Sequence, residues 1–367
     1  MRVLHVSCGG LGNGGVQKVI MNICENIPNI KFDIILFTKY ERFYDKKFLQ
    51  MGGNIFRIPH YEGKNKIIKK IDYFIRFPRI FNGVYRVLKE QKYDAIHCHN
   101  YFEGGICTMA AKIAGVPIRI CHSHSAVPKQ NINFIVRFYN IILKYIISKT
   151  ANIKIACSLE ASRYLFGIRN DVRIIKNAID LKQFDNKLYK HKKNENIVFI
   201  NIGRYCKSKN QLFLLDVFNK IKSEISNVEL LLIGFGEDEN KIRNKIIEMN
   251  LDNCVKMMPS NSNIPLALSK SDYLIFPSIY EGFGIVLLEA QAMEVKCFVS
   301  SNIPNEANVG LCKFLDLSYG ADKWAKLILE DIYRGNGDID LIKLKKNLLE
   351  YDIDMICKEY ENIYYGE

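Results

Sequence analysis

Residues Phe276 to Ala290 read Phe-Pro-Ser-Ile-Tyr-Glu-Gly-Phe-Gly-Ile-Val-Leu-Leu-Glu-Ala. The apolar run that ends at Phe276 predicts a buried strand, Pro277 and Ser278 mark a turn, and the apolar residues after Gly284 predict a helix. A strand, a glycine-containing turn and a helix in this order are typical of sheets built from parallel strands. The stretch therefore predicts an α/β fold, with its turn at the end of a strand.

The same stretch carries two carboxylates, Glu281 and Glu289, separated by a Gly-Phe-Gly turn. Glycine lets the backbone come close to a ligand, and the free N–H groups at a helix N-terminus bind phosphate. Glu281 can accept hydrogen bonds from sugar hydroxyls, and Glu289 from a ribose diol. The alternative is a surface loop before a helix with solvated glutamates. We expect a nucleotide-sugar site in which Glu281 is catalytic and the donor is bound by Ser278, Gly282, Phe283, Gly284 and Glu289.

Two further turns follow predicted strands in this half of the chain. Arg204 and Lys209 lie in the first turn, where a guanidinium and an ammonium can clamp a diphosphate leaving group. The second turn has a Gly-x-Gly pattern that allows close backbone approach to a nucleotide, and the next strand would form the edge that reads the base. These turns add Arg204 and Lys209 to the expected catalytic residues, and Gly203, Gly234, Gly236 and Met258 to the expected donor-binding residues.

Short β-branched runs alternate with helical patterns along the whole chain, which predicts strand-helix-strand units. A polar, Lys- and Asn-rich segment, 182–196, divides them into two doubly wound domains of the Rossmann-like type. We expect an N-terminal domain at 1–185, a C-terminal domain at 186–350 and a final helix at 351–367 that packs back on the first. The predicted strands are 3–7, 33–37, 55–58, 95–97, 118–121, 153–157, 173–175, 197–202, 229–233, 255–258, 273–276 and 297–299.

Length and composition agree with two soluble domains. The chain has 367 residues, more than one core usually holds. Its net charge of +13 indicates an anionic partner: a phosphorylated substrate, an acidic membrane surface or nucleic acid. Eleven cysteines without a Cys-x-x-Cys pair favour a reducing cytosol. The sequence predicts neither a signal peptide nor a transmembrane segment.

A glycine-rich turn follows the first predicted strand, and Gly14 and Gly15 open the first predicted helix. Such a turn can cradle a phosphate, although its spacing departs from the Gly-x-Gly-x-x-Gly of dinucleotide-binding folds. A plain flexible loop is the alternative. A dehydrogenase is disfavoured because the other motifs lie in the second half of the chain. Gly14 and Gly15 are therefore also expected to bind the donor.

Four histidines gather at the ends of two predicted strands, in segments 94–100 and 119–125. Open α/β sheets bind ligands at that edge. We expect His124 to be a catalytic residue that contacts the transferred sugar, and His99, Asn100 and His122 to be possible contacts to the acceptor or the sugar. Packing at the strand ends is an alternative for each histidine. A metal site is disfavoured because no Asp-x-His or His-Glu-x-x-His pattern completes it.

Two segments combine basic residues with aromatic and aliphatic ones, 64–92 and 132–149. Such segments can lie on an anionic membrane surface, where apolar burial and positive charge act together. Core helices with a solvated basic face are the alternative. Because both occur in one half of a basic chain, we expect peripheral contact with a membrane.

The motifs together resemble retaining glycosyltransferases of family 4, which have the GT-B fold of two Rossmann-like domains facing across a cleft. The resemblance covers nearly the whole chain and rests on Gly14-Gly15-Val16, the Gly203 to Asn210 turn, Gly234-Phe235-Gly236, and Pro277-Ser278 with Glu281 and Glu289. His122-Ser123-His124 is most similar to members that build bacterial exopolysaccharide, capsule or O-antigen.

The resemblance implies a metal-independent enzyme without a cofactor. Its donor would be a nucleotide-sugar, UDP-linked rather than GDP-linked, and its acceptor a glycan or a lipid-linked saccharide, with no nucleic acid partner. The resemblance also implies that the enzyme acts at the cytoplasmic face of the membrane. A nucleotide-sugar 2-epimerase of the same fold and a non-catalytic module that binds membrane or glycan are the alternatives.

Overall fold

The computed structural model describes residues 1–7, 9–60, 66–124, 134–189, 195–335 and 340–367, with the backbone alone for residues 66–74. The chain forms two compact units. The first consists of Met1–Ala178 together with Ile353–Glu367, and the second of Ile179–Asp352. Each unit is built on its own parallel sheet.

The first sheet has the strand order β3-β2-β1-β4-β5-β6-β7. The order reverses between β1 and β4, which defines a switch point at the carboxyl ends of these strands. The strands are β1 (Arg2–Ser7), β2 (Lys31–Leu36), β3 (Ile55–Arg57), β4 (Ala95–Cys98), β5 (Ile118–Ser123), β6 (Ile153–Ala156) and β7 (Val172–Ile174).

Helices cover the first sheet. Those before residue 179 are α1 (Gly15–Asn26), α2 (Asp45–Gln50), α3 (Lys66–Glu90), α4 (Gly104–Ala114), α5 (Phe134–Thr150) and α6 (Leu159–Phe166). The last helix of the chain, α13 (Ile353–Tyr365), also belongs to this unit and contacts α1. Val84 of α3, Ile106 of α4 and Leu143 of α5 are fully buried in the core that these helices share with the sheet.

The second sheet has the order β10-β9-β8-β11-β12-β13, with its switch point between β8 and β11. Its strands are β8 (Ile197–Ile202), β9 (Val228–Ile233), β10 (Val255–Met258), β11 (Tyr273–Phe276), β12 (Lys296–Ser300) and β13 (Cys312–Leu315). Its helices are α7 (Gln211–Glu224), α8 (Glu239–Glu248), α9 (Ile264–Ser269), α10 (Ile285–Ala292), α11 (Gly320–Tyr333) and α12 (Leu341–Leu349).

Strand β11 shows why its sequence is apolar throughout. Successive side chains point to opposite faces of a sheet, and helices cover both faces here. Ile275 lies in one core with Trp324, and Phe276 lies in the other core with Leu287. All four residues of the strand are buried.

The prediction of two doubly wound parallel-sheet domains is confirmed. The sequence pattern does not predict β13. This edge strand is four residues long, contains Lys313 and is buried only at Leu315. Short, charged edge strands are common because they discourage pairing with other chains, but they look like loops in a sequence.

Candidate active site

Two loops of the second unit lie side by side at the carboxyl ends of neighbouring strands. One loop, 203–210, follows β8, and the other, 277–284, follows β11. The amide of Ile279 donates a hydrogen bond to the Ser208 carbonyl at 2.8 Å, which joins the loops. The switch point of this sheet therefore brings together the basic turn and the Glu-Gly-Phe-Gly turn, which are far apart in sequence.

Lys209 is positioned by three neighbours. Its ammonium forms an ion pair with the Glu281 carboxylate and lies 5.2 Å from the centroid of the Phe276 ring. Its methylene groups pass over Gly203, where a Cβ would lie 3.5 Å from Lys209 Cε. The side chains of Lys209 and Glu281 retain 22% and 13% of their exposure. This is a fixed, partly buried positive charge that a ligand can still reach.

Arg204 lies on the same loop but is far more exposed than Lys209. It pairs with Glu237 at 2.9 Å, and the two side chains are 65% and 56% exposed. Exposed ion pairs contribute little to stability because water and salt screen them. The guanidinium can therefore exchange Glu237 for a phosphate at small cost.

Gly234 and Gly236 are needed by the protein's own backbone. A Cβ on Gly234 would lie 2.0 Å from the Gly203 carbonyl oxygen, and one on Gly236 would lie 2.2 Å from the Tyr205 carbonyl oxygen. The Tyr205 amide donates to the Phe235 carbonyl at 2.8 Å. These glycines let the turn after β9 pack against the turn after β8, a reason that the sequence analysis did not give.

Helix α10 begins with unbonded amides. Among the described residues, no hydrogen bond has the amide of Phe283, Gly284 or Ile285 as its donor. Gly284 has a φ of +85°, which a residue with a side chain rarely adopts. The Ser278 hydroxyl is buried without a hydrogen-bond partner in the described part of the chain. The side chain of Phe283 belongs to the core and packs on Tyr351, so only its backbone faces this end of the helix.

The remaining predicted donor-binding residues of this unit are Glu289, Met258 and Gly282. Glu289 lies in the second turn of α10 and is 8% exposed. Met258 ends β10, and its carbonyl accepts the Gly234 amide at 3.1 Å. Gly282 stands between Glu281 and the buried Phe283.

In the first unit, α1 starts at Gly15, with Gly14 as an extended N-cap residue. Among the described residues, no atom outside its chain neighbours and its own helix backbone lies within 4 Å of the position of a Cβ on Gly15, so the space beside it is open. A Cβ on Gly14 would meet only the flexible end of Gln17. The open space fits either of the two readings of this turn, a ligand-binding loop or a plain one.

Five histidines lie together on one face of the first sheet, at its switch point. The sequence analysis identified four of them and missed His5, which β1 places in register with His97 of β4. The sequence gives no direct signal for it, since only the strand order places β1 beside β4. The others are His99, His122 and His124, and all five are buried.

The ring nitrogens of these histidines pair with one another. His99 contacts His5 Nδ1 through its Nε2 at 2.9 Å and His124 Nε2 through its Nδ1 at 2.8 Å. His97 contacts His122 at 3.1 Å and the Tyr364 hydroxyl of α13 at 2.7 Å. Two groups of three, His5 with His97 and His99, and His99 with His122 and His124, also have ring nitrogens within 4.8 Å of one another, close enough to share a metal ion.

Burial keeps these imidazoles uncharged. It lowers the pKa of His5 and of His124 to about 3. It also lowers the pKa of His97, His99 and His122 well below the usual value, with neighbouring histidines adding to the effect. The five side chains are therefore neutral at pH 7 and act as hydrogen-bonding groups.

Asn100 lies beside this cluster and is also buried. Its amide nitrogen donates to Cys107 Sγ at 3.5 Å, and its Oδ1 has no partner among the described residues. The side chain thus leaves one buried acceptor at the end of β4.

Helix α5 has an unusual exposed face. Its buried residues include Leu143 and Ile147, but the opposite side carries Phe134, Ile135, Phe138, Ile141, Ile142 and Tyr145, each more than 40% exposed. Residues 64–65 and 132–133 of the two basic segments, and the side chains of 66–74, lie outside the described residues. In the described part of the chain, no helix is both long and apolar enough to cross a membrane.

Two family models match the chain in succession. The model described as Glycosyltransferase Family 4 matches residues 13–183, and the model described as Glycosyl transferases group 1 matches residues 183–309. The first covers Gly14, Gly15 and four of the five clustered histidines, all except His5, and the second covers both loops at the β8–β11 switch point.

Curated relatives carry the same kind of name. The capsular polysaccharide biosynthesis glycosyltransferase CapH of Staphylococcus aureus is 29% identical over 81% of this chain and 82% of its own length. The UDP-Gal:alpha-D-GlcNAc-diphosphoundecaprenol alpha-1,3-galactosyltransferase of Escherichia coli is 26% identical over 82% of this chain and 79% of its own.

A solved structure extends the likeness to the fold. HepE of Anabaena, in complex with UDP and glucose, is 16% identical and superposes with a TM-score of 0.76 over 100% of both chains. Because the two family models together match residues 13–309, we conclude that the chain is a glycosyltransferase with a family 4 domain followed by a group 1 domain and the GT-B fold, similar to glycosyltransferases of bacterial polysaccharide biosynthesis.

Proposed function

We propose that this glycosyltransferase moves a sugar from a UDP-sugar to a polyprenyl-linked or glycan acceptor, with retention of the anomeric configuration and without a metal. One observation carries the proposal: Lys209 is fixed beside Glu281 in the loops that lead to the open amides of α10. An ammonium, a carboxylate and unbonded amides are the groups that a sugar diphosphate requires.

The diphosphate is the part of the donor that this site suits best. Lys209 supplies a fixed positive charge, Arg204 supplies an exposed guanidinium, and the amides of Phe283 and Gly284 supply hydrogen-bond donors. Together they stabilise the negative charge that develops on the leaving group, as preorganised donors do in many enzymes. A divalent cation is not needed for that purpose, so chelation by EDTA should leave the transfer rate unchanged.

The carboxylates of Glu281 and Glu289 accept hydrogen bonds from hydroxyl groups of the two sugars in the donor. Glu281 binds the transferred sugar, and the buried Glu289 binds the ribose diol. Met258 lies at the edge that receives the base, with Gly234 and Gly236 shaping the adjoining turn. In the first unit we assign a contact with the sugar to His124, and contacts with the sugar or the acceptor to Asn100 and His122. His99, also a predicted contact, uses both ring nitrogens on other histidines and supports His124. Gly14 and Gly15 approach the phosphate.

Transfer proceeds on one face of the sugar. The bond between the anomeric carbon and the phosphate oxygen breaks, the oxygen leaves with the electron pair, and positive charge develops on the carbon. The acceptor hydroxyl attacks from the face that the phosphate leaves, and its proton passes to the departing phosphate oxygen. Glu281 positions the sugar in this scheme and does not act as a general base.

Names of similar proteins support the donor and the acceptor. The Escherichia coli relative is named for UDP-Gal and for a diphosphoundecaprenol acceptor, and HepE was solved with UDP. A lipid-linked acceptor places the enzyme at a membrane surface. The exposed face of α5 suits such a surface because it joins aromatic and aliphatic side chains to Arg137 and Lys149 and has no acidic residue. We therefore place the enzyme at the cytoplasmic face of the membrane, bound peripherally.

A transfer assay with product analysis tests the reaction. UDP-sugars are offered singly with a polyprenyl-diphosphate-linked saccharide, and the product is examined by mass spectrometry and by proton NMR of the new anomeric centre. We expect one sugar added with the donor's α configuration. An inverted product contradicts retention, and release of an epimer without an acceptor supports the 2-epimerase instead.

Vesicle sedimentation tests the membrane contact. The double variant Phe138→Ser with Ile141→Ser removes two exposed apolar side chains of α5 and should reduce binding to anionic vesicles. Ile168→Ser is a matched control, since Ile168 is 95% exposed but lies outside α5. Equal binding of both variants would remove α5 from the proposal.

A further inference from the structure

His124 is the exposed end of a series of buried imidazoles. It retains 8% of its exposure, whereas His5 is 0% and His99 is 1% exposed. His124 Nε2 is used by His99, and no hydrogen bond joins its Nδ1 to another group in the described residues. The nitrogen that a ligand meets is therefore Nδ1.

The protonation of that nitrogen depends on His5, two imidazoles away. A neutral imidazole has one N–H group and one lone pair, so a donor at one nitrogen leaves an acceptor at the other. His99 bonds through both nitrogens. The three rings must then donate in the same direction, either from His5 toward His124 or from His124 toward His5.

The buried His5 end of the series determines the direction in which the three rings donate their hydrogen bonds. His5 Nε2 is buried and has no hydrogen-bond partner among the described residues. A buried N–H without an acceptor is rarer in proteins than a buried lone pair without a donor. His5 Nε2 is therefore the lone pair and His5 Nδ1 carries the proton. It donates to His99 Nε2, and His99 Nδ1–H donates to His124 Nε2.

We propose that His5 and His99 are positioning residues that hold His124 in its Nδ1–H tautomer, so that His124 offers a ligand a hydrogen-bond donor and no acceptor. This inference rests on the proposed function, in which His124 meets the transferred sugar. The Nδ1–H group of His124, fixed in this way, selects a sugar that has an oxygen at that position to accept its hydrogen bond. A sugar with an ammonium group or no oxygen there is rejected, because the N–H would be left unpaired.

The second series supplies an internal control. Tyr364, His97 and His122 form a separate series, which ends in a buried His122 Nε2 without a partner in the described part of the chain. By the same reasoning His122 is also an Nδ1–H tautomer. Removal of the Tyr364 hydroxyl disturbs this series and leaves the bonds of His99 to His5 and His124 in place.

Nitrogen-15 NMR of the full chain labelled in histidine distinguishes a protonated ring nitrogen from an unprotonated one. The wild type should show His124 protonated at Nδ1 and unprotonated at Nε2. In His5→Leu nothing fixes the direction of the hydrogen bond between His99 and His124, and His124 should become a mixture of tautomers. His5→Asn, which restores a polar group near the Nδ1 position, should return a single form. Tyr364→Phe should leave the His124 signals unchanged.

Two NMR outcomes overturn the inference: His124 protonated at Nε2 in the wild type, or one unchanged tautomer in His5→Leu. Retention of the dispersed His97 and His122 signals shows that the variant is folded.

Kinetics supplies the second readout. His5→Leu should lower kcat/KM for the UDP-sugar about tenfold, the value of one hydrogen bond, with His5→Asn recovering most of it. The Kd for UDP should not change, because UDP lacks the transferred sugar that meets His124. A parallel loss of UDP affinity contradicts the inference. If the wild type transfers no sugar, the proposed function fails, and the NMR result still decides whether His5 sets the tautomer.

Discussion

The ammonium of Lys209 forms an ion pair with the carboxylate of Glu281, a residue 72 positions further along the chain. Each group is assigned to a different part of the donor, Lys209 to the diphosphate and Glu281 to the sugar. The ion pair keeps both side chains ordered and close to the start of α10. We expect binding of the donor to give each group a new partner without a large rearrangement.

Substitutions of Lys209 and of Glu281 should affect the affinity for UDP differently. Lys209→Ala removes a charge-assisted hydrogen bond to phosphate and should weaken UDP binding about tenfold to hundredfold. Glu281→Gln removes a negative charge close to the diphosphate and should leave UDP binding equal or tighter, while the rate of sugar transfer falls. Calorimetry with UDP and a transfer assay measure the two effects. Weaker UDP binding in both variants would assign Glu281 to the phosphate end of the site.

The pair Arg204 and Glu237 allows a similar comparison at an exposed position. Arg204→Ala should weaken UDP binding about two- to tenfold, because the lost contact is open to solvent. Glu237→Ala releases the guanidinium and should not weaken binding. Titration at low and high salt checks the electrostatic origin, since screening should shrink the Arg204 effect. An unchanged Kd in Arg204→Ala removes this residue from the site.

Gly234 and Gly236 should resist substitution for a structural reason. Gly234→Ala places a methyl group against the Gly203 carbonyl, and Gly236→Ala places one against the Tyr205 carbonyl. Each should cost about 1–3 kcal/mol in the free energy of unfolding, as overpacking usually does. Gly12→Ala is the control, because no described residue other than its chain neighbours comes within 4 Å of its Cβ position. Urea denaturation measures the three variants, and equal stabilities would contradict the packing of these turns.

The histidine cluster should make the free energy of unfolding depend on pH at values above those at which carboxylates titrate. Burial lowers the folded-state pKa of His5 and His124 to about 3, so between about pH 6.5 and that value the unfolded chain binds protons that the folded chain does not. The free energy of unfolding therefore falls as the pH falls below 6.5, by up to about 1.4 kcal/mol per pH unit for each buried histidine.

Urea denaturation at pH 7.5, 6.5 and 5.5 measures this slope. Replacing one member, as in His5→Leu, should reduce the slope by the share of one imidazole, whatever its effect on stability at pH 7.5. A free energy of unfolding that is constant from pH 7.5 to 5.5 would show that the imidazoles are accessible to protons in the folded state.

The sequence predicted the local parts of this fold well. The apolar run at 273–276 and the turn after it fall where the structure has β11 and the start of α10. The reason is that a strand buried on both faces and a glycine turn each depend on neighbouring residues. β13 was not predicted because half-exposed edge residues such as Lys313 give no apolar pattern.

Pairings between distant residues were beyond the sequence alone. The contact between Lys209 and Glu281 requires β8 and β11 to be neighbours, which follows from the strand order and not from either motif. Gly234 was expected to make room for a nucleotide, whereas the structure shows the Gly203 carbonyl in contact distance of its Cβ position. His5 was missed because the histidines it contacts, His97 and His99, lie at the end of another strand. Binding roles for all these residues remain predictions.

The most direct test of the proposed reaction is sugar transfer from a UDP-sugar to a polyprenyl-diphosphate-linked saccharide, followed by mass spectrometry of the lipid product with wild-type protein and with Lys209→Ala. We predict that the wild type adds the mass of one sugar to the acceptor in the presence of EDTA, and that Lys209→Ala does so at a much lower rate. Donor consumption without any gain of mass on the acceptor, or equal rates for the two proteins, would contradict it.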